Sequence, residues 1–309
     1  MRKFNFSKMD AAENAFFEKA FEHLESRIYE YKMSELMARN LVPKIPGIDP
    51  ATIIYNWKSF DKVGFAKIIT SYADDLPRSD VAGTDNFMVI KSLGASFGID
   101  IMEIRFAKKA GTPLQQQKAN AARRSIEEKI EELLSVGSAA HNMVGLLNQP
   151  NATLYTVPNG AAASPLWANK TGAEIVADMV GVQVNQVQLT KGQEKPNVIA
   201  LDSSRLAEIS TRFFDPEVSE STILDVFLRV SPHVKRVIEW EALATAGSGG
   251  THRMLCFRQD ADAVGAVIPQ EFETFDPEQR GLEFITACHA RCGGVVAFLP
   301  LAMSYADGI

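Results

Sequence analysis

An amphipathic stripe runs through the first part of the chain. Large apolar residues recur there at spacings of four, three, four and three positions, namely Phe17, Phe21, Leu24, Ile28 and Tyr31. This period predicts an α-helix with one apolar face, and Asp10 followed by Glu13 resembles a capping box at its start. Such a stripe packs either on its own domain or on another subunit, and the pattern leaves both possibilities open.

The pattern then changes to extended segments. Residues 41–52, LVPKIPGIDPAT, contain three prolines and one glycine, which is typical of a stiff linker. Residues 51–100 hold the aromatic and β-branched runs ATIIYNWKSF, FAKIIT and DNFMVIKSLGASFGIDI, interrupted by the polar segment SYADDLPRSDVAG. They predict a long hairpin with a charged tip, in which the last run returns along the first. Because a hairpin cannot bury both faces by itself, this one is expected to lie on the chain's own body or on a neighbour.

Two helices are predicted next, a short one over IMEIRFAKKAG and a long one over PLQQQKANAARRSIEEKIEELLSVG. Pro113 suits the first turn of the long helix, and Gly137 follows its last turn. The apolar residues of the long helix that share one face are Ile126, Ile130, Leu133 and Leu134. Lys118, Arg123 and Arg124 resemble a phosphate patch, but four glutamates follow closely, so the pattern favours a salt-bridged, solvated face.

A mixed α/β body follows. Helices are predicted over GAEIVADMVGVQVNQVQL, SSRLAEISTRF and STILDVFLRV, and strands over NVIALD, VKRVIEW, RMLCFR and AVGAVIP. The glycine-rich stretch TAGSGGTHR, residues 245–253, lacks the lysine and the spacing of a phosphate-binding loop. It is therefore predicted to be a surface loop.

Composition narrows the class of protein. Of the 309 residues, 46% are apolar and 23% are charged, as in an ordinary folded soluble protein. The first residues lack the apolar core of a secretory signal, and no run approaches the ~18 apolar residues that a membrane span needs. Three cysteines, an odd number, fit a reducing compartment. A formal net charge of −6 provides no general attraction for nucleic acid.

The stretch ACHARCGG, residues 287–294, is the clearest candidate for a metal or thiol site, since it holds Cys288, His289 and Cys292. Its flanks are β-branched and aromatic and its paired glycines disfavour a helix, so a strand is predicted. On a strand the two thiols lie ~13 Å apart on one face, with the histidine on the other face. Two thiolates must each lie ~2.3 Å from a shared zinc ion, so buried structural thiols are predicted instead.

The adjacent carboxylates Asp74 and Asp75 could be taken for a catalytic pair. Neighbouring residues on a strand point to opposite faces, and neighbouring residues in a turn are usually solvated. Both are therefore interpreted as turn residues.

The order of elements resembles that of the major capsid proteins of tailed bacteriophages, whose HK-ninety-seven-type fold is shared with encapsulins. Four stretches carry this resemblance: YADDLPRSDV (72–81), KANAARRSIEEKI (118–130), GLLNQPN (145–151) and RGLEFITACHARCGGVVAFLPLAMSYADGI (280–309). The combination, rather than any single stretch, is specific. The N-terminal forty residues and the loops of the α/β body contribute little to it.

The resemblance implies an α+β fold with an N-terminal arm, an E-loop hairpin, a P-domain containing the long spine helix, and an α/β A-domain. The corresponding residues would be 1–50 for the arm, 51–100 for the E-loop, 101–165 with 265–309 for the P-domain, and 166–264 for the A-domain. A protein of this kind assembles with itself through exchanged arms and large interfaces rather than through a pocket.

The function implied is a structural one, not an enzymatic one: self-assembly into pentamers and hexamers of an icosahedral shell around phage double-stranded DNA. The expected partners are further copies of the chain, a portal, and possible decoration or scaffolding proteins. DNA would be contacted non-specifically, and no cofactor, metal or membrane is expected. The protein would reside in the virion, and in the host cytoplasm during assembly. Two alternatives remain, an encapsulin-type nanocompartment shell of the same fold and a metal- or thiol-dependent enzyme using the Cys/His stretch.

The resemblance also implies intersubunit contacts. The arm would contribute its apolar anchors Phe17, Phe21, Leu24 and Ile28. The hairpin would contribute Tyr72, Asp74, Asp75 and Arg78. Some members of the family weld subunits through an E-loop lysine, and Lys67 lies in this hairpin, but the sequence identifies no asparagine partner, so no crosslink is expected. Because the arm begins at Met1, no proteolytic removal of a leading segment is expected either.

Overall fold

The computed structural model describes residues 35–63, 80–110, 114–215 and 220–309. The chain divides into two compact units, Met1–Glu35 and Leu36–Ile309, and the architecture below is that of the second. The predicted arm helix, with Phe17, Phe21, Leu24 and Ile28, lies outside the described residues. None of the described helices is both long and apolar enough to cross a membrane.

The predicted hairpin is formed by strands β1 (Ile54–Val63) and β2 (Asp80–Val89), which pair antiparallel along their whole length. Its tip lies outside the described residues, and so do Lys67, Tyr72, Asp74, Asp75 and Arg78. The prediction of a single returning strand was wrong at one point. After the buried Ile90, strand β3 (Lys91–Asp100) leaves the hairpin and joins another sheet. The alternation shifts by one position here: Met88 and Ile90 are the inward residues before Lys91 and Ser92, and Leu93, Ala95, Phe97 and Ile99 are the inward residues after them. This shift in the pattern accompanies the change of partner.

The long strand β13 (Glu283–Cys292) forms the centre of that second sheet. It pairs with β3 on one side and, on the other, with β11 (Gln270–Thr274) and β12 (Glu278–Arg280). Helix α2 (Ile101–Ala110) follows β3 directly, and the spine helix α3 (Leu114–Ser135) packs across the sheet. The predicted apolar face of α3 is confirmed, because all four of its members are buried: Ile126, Ile130, Leu133 and Leu134.

The α/β body contains a five-stranded sheet in the order β6, β15, β9, β7, β8. These strands are β6 (Thr153–Tyr155), β7 (Val198–Leu201), β8 (Arg236–Glu239), β9 (Arg253–Phe257) and β15 (Met303–Asp307). Its helices are α4 (Gly172–Leu189), α5 (Ser203–Thr211) and α6 (Ile223–Val230), all at predicted positions. Strands β6 and β15 come from outside residues 166–264, so distant parts of the chain complete this sheet. The division into domains itself stays a prediction.

Shorter elements connect these bodies. They are helix α1 (Ala38–Leu41) and the strand pairs β4 (Gly137–Ser138) with β5 (Met143–Val144) and β10 (Val264–Val267) with β14 (Gly294–Ala297).

The proline-rich segment that follows α1 packs on the body of the protein and is not only a linker. Leu41 and Val42 are buried, and the Ile45 N–H donates to the Ala266 carbonyl at 3.0 Å. The segment is therefore packed along β10.

The buried apolar residues form three clusters. One lies between α3, the sheet of β13 and one face of the five-stranded sheet. A second lies between the other face of the five-stranded sheet and helices α4, α5 and α6, and a small third cluster lies at the root of the hairpin. The third is built on Met88, Ile90, Val267 and Val296. The root of the hairpin thus packs against β10 and β14 through a small cluster that is separate from the two large ones.

Candidate assembly interface

The root of the hairpin is held by aromatic packing. The rings of Trp57 and Phe298 meet edge to face with centroids 6.2 Å apart, and Tyr55 stacks on Trp57 at 6.0 Å. The Ile90 N–H donates to the Ile53 carbonyl at 2.8 Å and ties the two strands together where they leave the body. These contacts use one face of the hairpin, that of Tyr55 and Trp57.

The opposite face of the hairpin carries apolar side chains that this subunit leaves uncovered. Ile54 and Phe60 alternate with Tyr55 and Trp57 along β1, and Phe87 lies opposite Asn56 on the same face. The two phenylalanines are each 63% exposed. Lys58 and Asp85 pair across this face at 3.8 Å. Exposed aromatic residues on a sheet face are typical of a protein-binding surface.

Beneath the hairpin, on its packed side, is a cleft of about 560 Å³. Trp57 and Phe298 line its inner end, and its walls carry the amide side chains of Asn86, Asn142 and Asn151. Asn142 and Asn151 both have left-handed backbone conformations, with φ of 54° and 63°. The cleft separates the outer part of the hairpin from the body.

The stretch GLLNQPN connects the spine helix to the α/β body through side chains that the sequence analysis did not identify. We call Gln149, Arg253, Tyr305 and Asp307 the joint. The Tyr305 hydroxyl donates to the Leu146 carbonyl at 2.6 Å and accepts from the Gln149 N–H at 3.2 Å. The Gln149 amide in turn donates to the carbonyls of Gly145 and Val295, both at 2.9 Å. These hydrogen bonds are all made within the protein, and a buried network of this kind makes the structure around it rigid.

An ion pair completes the joint. Arg253 donates to Asp307 through two nitrogens, at 2.6 and 2.9 Å, and to the Leu147 carbonyl at 2.7 Å. Its guanidinium lies over the Tyr305 ring, 4.6 Å from the centroid. Burial raises the pKa of Tyr305 to about 12. Burial also acts to raise the pKa of Asp307, but hydrogen bonds from Arg253 and from the Ser248 N–H outweigh it, so this pKa lies below its usual value.

The charged face of the spine helix is neutralised within the chain, as predicted. Lys118 pairs with Glu103 at 2.7 Å, Arg123 with Glu127 at 2.9 Å, Arg124 with Glu128 at 2.7 Å and Lys129 with Glu132 at 2.7 Å. Exposed pairs of this kind contribute little stability. They do, however, remove the concentration of positive charge that a phosphate site requires.

The Cys/His stretch lies on β13, so the predicted strand is confirmed. Cys288 and Cys292 are buried on one face, while His289 is partly exposed and its ring lies 6.3 Å from that of Phe275. Burial raises the pKa of both thiols, that of Cys292 to about 11. Within the described parts of the chain, no three His, Cys, Asp or Glu residues are grouped to hold a metal ion.

The eight predicted contact residues are not among the residues that the structure describes. The arm anchors Phe17, Phe21, Leu24 and Ile28 precede them, and the hairpin residues Tyr72, Asp74, Asp75 and Arg78 fall in the gap at the tip. The sequence analysis did not single out the exposed Phe60 and Phe87. On the face of β1 that carries Phe60, Asn56 and Lys58 lie between it and Ile54, so the alternation did not indicate an apolar face there.

A family model described as "Major capsid protein" matches residues 64–309, whereas no curated protein matches the sequence. The capsid of Myoviridae phage XM1 is similar in structure, with a TM-score of 0.81 and 15% identity over 94% of this chain and 98% of that one. A structure from Gordonia phage Cozz has a TM-score of 0.63 and 12% identity, over 99% and 97% of the two chains.

A virus-like particle from Pyrococcus furiosus is also similar, with a TM-score of 0.53 and 12% identity over 87% of this chain and 91% of that one. At these identities the structural likenesses establish the fold alone. They confirm the predicted α+β class and the capsid fold. The family model covers most of the chain, including the returning strand of the hairpin, the spine helix, the joint and the α/β body. The chain therefore belongs to the major capsid protein family and serves as a shell-forming structural protein of the virus particle.

Proposed function

We propose that the chain self-assembles into the pentamers and hexamers of an icosahedral shell around the double-stranded DNA of a tailed bacteriophage. The observation that supports this most directly is the hairpin of β1 and β2. Its outer face exposes Phe60 and Phe87, each 63% accessible, on a two-stranded ribbon that packs against β10 and β14 at its root. Such a ribbon is marginal in isolation and gains stability when a neighbouring subunit covers it.

Each part of the chain has a role in this proposal. Residues 1–50 act as an arm and 51–100 as the E-loop, while 101–165 with 265–309 form the P-domain and 166–264 the A-domain. The arm anchors are Phe17, Phe21, Leu24 and Ile28. The hairpin contacts are Tyr72, Asp74, Asp75 and Arg78, to which the exposed aromatic residues Phe60 and Phe87 are added. The joint keeps the spine helix and the α/β body in a fixed relation.

The net charge of the chain and the pairing of its basic residues are compatible with a shell that encloses DNA. The net charge is −6, and the basic residues of the spine helix are paired with glutamates. A strongly basic wall would bind phosphates and hinder both packaging and release of the genome. Contacts with DNA are therefore non-specific, and a portal and possible decoration or scaffolding proteins complete the particle. Assembly takes place in the host cytoplasm, and no catalytic residue is assigned.

The experiment is to express the full chain alone and examine it by negative-stain electron microscopy and mass photometry. Closed shells, tubes, or free pentamers and hexamers support the proposal. A monomer or dimer that persists under crowding and across a range of salt concentrations contradicts it. DNA inside particles purified from infected cells, rather than a protein cargo, separates the phage shell from an encapsulin.

A further inference from the structure

One corner of the α/β body carries basic side chains that have no acidic partner. Lys191 and Lys195 lie in the loop between α4 and β7, and Lys235 and Arg236 lie at the start of β8. All four are exposed, and none of them forms an ion pair with a carboxylate in the described parts of the chain. We call these four residues the basic corner. They differ in this respect from the basic residues of the spine helix, which are paired with glutamates.

Two amide side chains hold the backbone around the basic corner in place. The Asn197 side-chain oxygen accepts a hydrogen bond from the Gln259 N–H at 2.7 Å, and the Asn197 carbonyl accepts one from the Lys235 N–H at 3.4 Å. The Gln259 amide donates in turn to the Asn40 carbonyl at 2.7 Å. Lys195 precedes Asn197 by two residues, which is ~7 Å along an extended chain. The lysines on either side of Asn197 therefore start from fixed backbone positions that are close together.

The carboxylates of the same corner are already engaged. Glu194 pairs with Arg258 at 2.9 Å, and Asp260 lies 3.9 Å from the same guanidinium. Arg236 donates to the side-chain oxygen of Gln259, a neutral partner that leaves the charge of the arginine uncompensated. The corner is thus locally positive on a chain whose net charge is −6. A surface of one sign attracts a ligand that carries many charges of the opposite sign.

We propose that the basic corner contacts the phosphate backbone of the packaged double-stranded DNA. This inference rests on the proposed function, because it assigns the DNA contact of the shell to one surface of each subunit. Lysine ammonium groups on flexible stems bind phosphates as point charges. Contacts with phosphates position DNA without reading its bases, so a genome of any sequence satisfies the corner.

The small number of charges sets the strength of this contact. Each neutralised phosphate contributes about −0.9 to the slope of the logarithm of the binding constant against the logarithm of the salt concentration, so the corner should give a slope of about −3 to −4. Such a contact is weak at physiological salt and becomes measurable at low salt. Repeated on every subunit, it holds the DNA at many points without the continuous basic wall that would hinder packaging and release.

The first test measures binding of a labelled duplex to the unassembled full chain by fluorescence anisotropy over a range of low salt concentrations. The test variant is Lys191→Gln/Lys195→Gln/Lys235→Gln, which removes three charges of the basic corner. Its affinity at low salt is expected to fall by about tenfold or more, and the steepness of its salt dependence should decrease by about 2 to 3, since three phosphate contacts are lost. Circular dichroism melting checks that the variant folds like the unmodified chain.

The matched control removes three charges that are paired within the spine helix, in Arg123→Gln/Arg124→Gln/Lys129→Gln. It lowers the net charge by the same amount and should retain the salt dependence of the unmodified chain. Equal slopes for the two variants overturn the proposal. The proposal also fails if poly-glutamate binds the unmodified chain more tightly than the duplex does and loses affinity in the test variant, because the corner then serves an acidic protein.

Assembled particles provide the second test. An amine-acetylating reagent is applied to DNA-filled and to emptied particles, and mass spectrometry measures the modification of each lysine. Lys191, Lys195 and Lys235 are expected to react several-fold less in filled particles, whereas Lys129, which is paired with Glu132, should react equally in both. Equal reactivity of the corner lysines contradicts the DNA contact and leaves the shell intact. A chain that forms no particles contradicts the proposed function, and duplex binding then tests the basic corner by itself.

Discussion

At the scale of single residues, buried charges hold loops onto the α/β body. Lys170 and Asp178 pair at 2.5 Å with side chains 1% and 2% exposed. The Trp167 indole N–H also donates to Asp178 at 3.1 Å, and the Lys170 ammonium donates to the Pro158 carbonyl at 2.7 Å. A buried pair of this kind requires both partners, because removal of one leaves an uncompensated charge.

Asp178→Ala should therefore destabilise the subunit by ~3–5 kcal/mol. The double variant Lys170→Met/Asp178→Leu should recover most of this loss, since it removes both charges and keeps apolar volume. Guanidinium unfolding of unassembled subunits provides the free energy of unfolding for each variant. Equal stability of Asp178→Ala and the unmodified chain would show that the pair is not needed.

The ion pair of Arg253 with Asp307 should make stability depend on pH. The folded pKa of Asp307 lies below its usual value of 3.8, so its contribution is present above that value and is lost as the pH falls through the folded pKa. The free energy of unfolding that is lost in the Asp307→Asn variant should therefore be largest near neutral pH. The difference from the unmodified chain should shrink below about pH 4. Unfolding curves at several pH values test this, and a difference that is constant across the range contradicts it.

At the scale of elements, the hairpin has one packed and one uncovered face. Tyr55 and Trp57 pack against the small cluster at its root, whereas Phe60 and Phe87 on the other face are each 63% exposed. Loss of an exposed side chain usually changes the stability of a folded subunit by less than ~0.5 kcal/mol. Loss of an interface anchor can cost more than ~2 kcal/mol of binding free energy. Stability and assembly should therefore respond differently to substitutions on this face.

Phe60→Ser/Phe87→Ser is expected to leave the melting temperature of the unassembled subunit nearly unchanged and to reduce particle formation by at least tenfold. Phe60→Leu/Phe87→Leu, which keeps an apolar face, serves as the matched control and should assemble. Sedimentation velocity measures the fraction of protein in particles. If the serine variant assembles as well as the leucine variant, the outer face of the hairpin is not part of an interface.

At the scale of the whole molecule, the chain is acidic and its spine helix is neutralised by internal pairs. With a net charge of −6, it releases few counterions on contact with DNA. We expect the unassembled subunit to bind double-stranded DNA more weakly than ~10⁻⁴ M at physiological salt, the weak end of non-specific binding. Fluorescence anisotropy with a labelled duplex measures this. Binding near ~10⁻⁶ M with a steep salt dependence would indicate a dedicated DNA surface.

The local pattern of apolar and polar residues predicted the main helices and strands of this fold. Ile126, Ile130, Leu133 and Leu134 recur at the helical period and are all buried. The α/β body has its helices and strands where their periods indicated. Cys288 and Cys292 lie on a strand because the flanking β-branched residues and the glycine pair disfavour a helix. Each of these features depends on neighbours within a few positions along the chain, and such neighbours are visible in a sequence.

The sequence did not show which strands pair with each other or which distant residues come into contact. The strand that returns along the hairpin shifts its alternation by one position after Ile90, but the shift does not show which strand β3 pairs with next. Strand β15 lies between β6 and β9, which are far from it in sequence. The joint unites Gln149 with Tyr305, 156 positions away. Contacts of this kind are set by the packing of complete elements, because hydrophobic burial has no direction along the chain.

The sequence by itself thus determined the class of fold, the positions of the main helices and strands, the burial of the thiols on a strand and, through its resemblance, the capsid family. The tertiary structure alone decided which strands share a sheet and which face of the hairpin is free. The physical reason is that secondary structure follows from the period of nearby residues, whereas a surface exists only after distant segments have packed and left some apolar side chains uncovered.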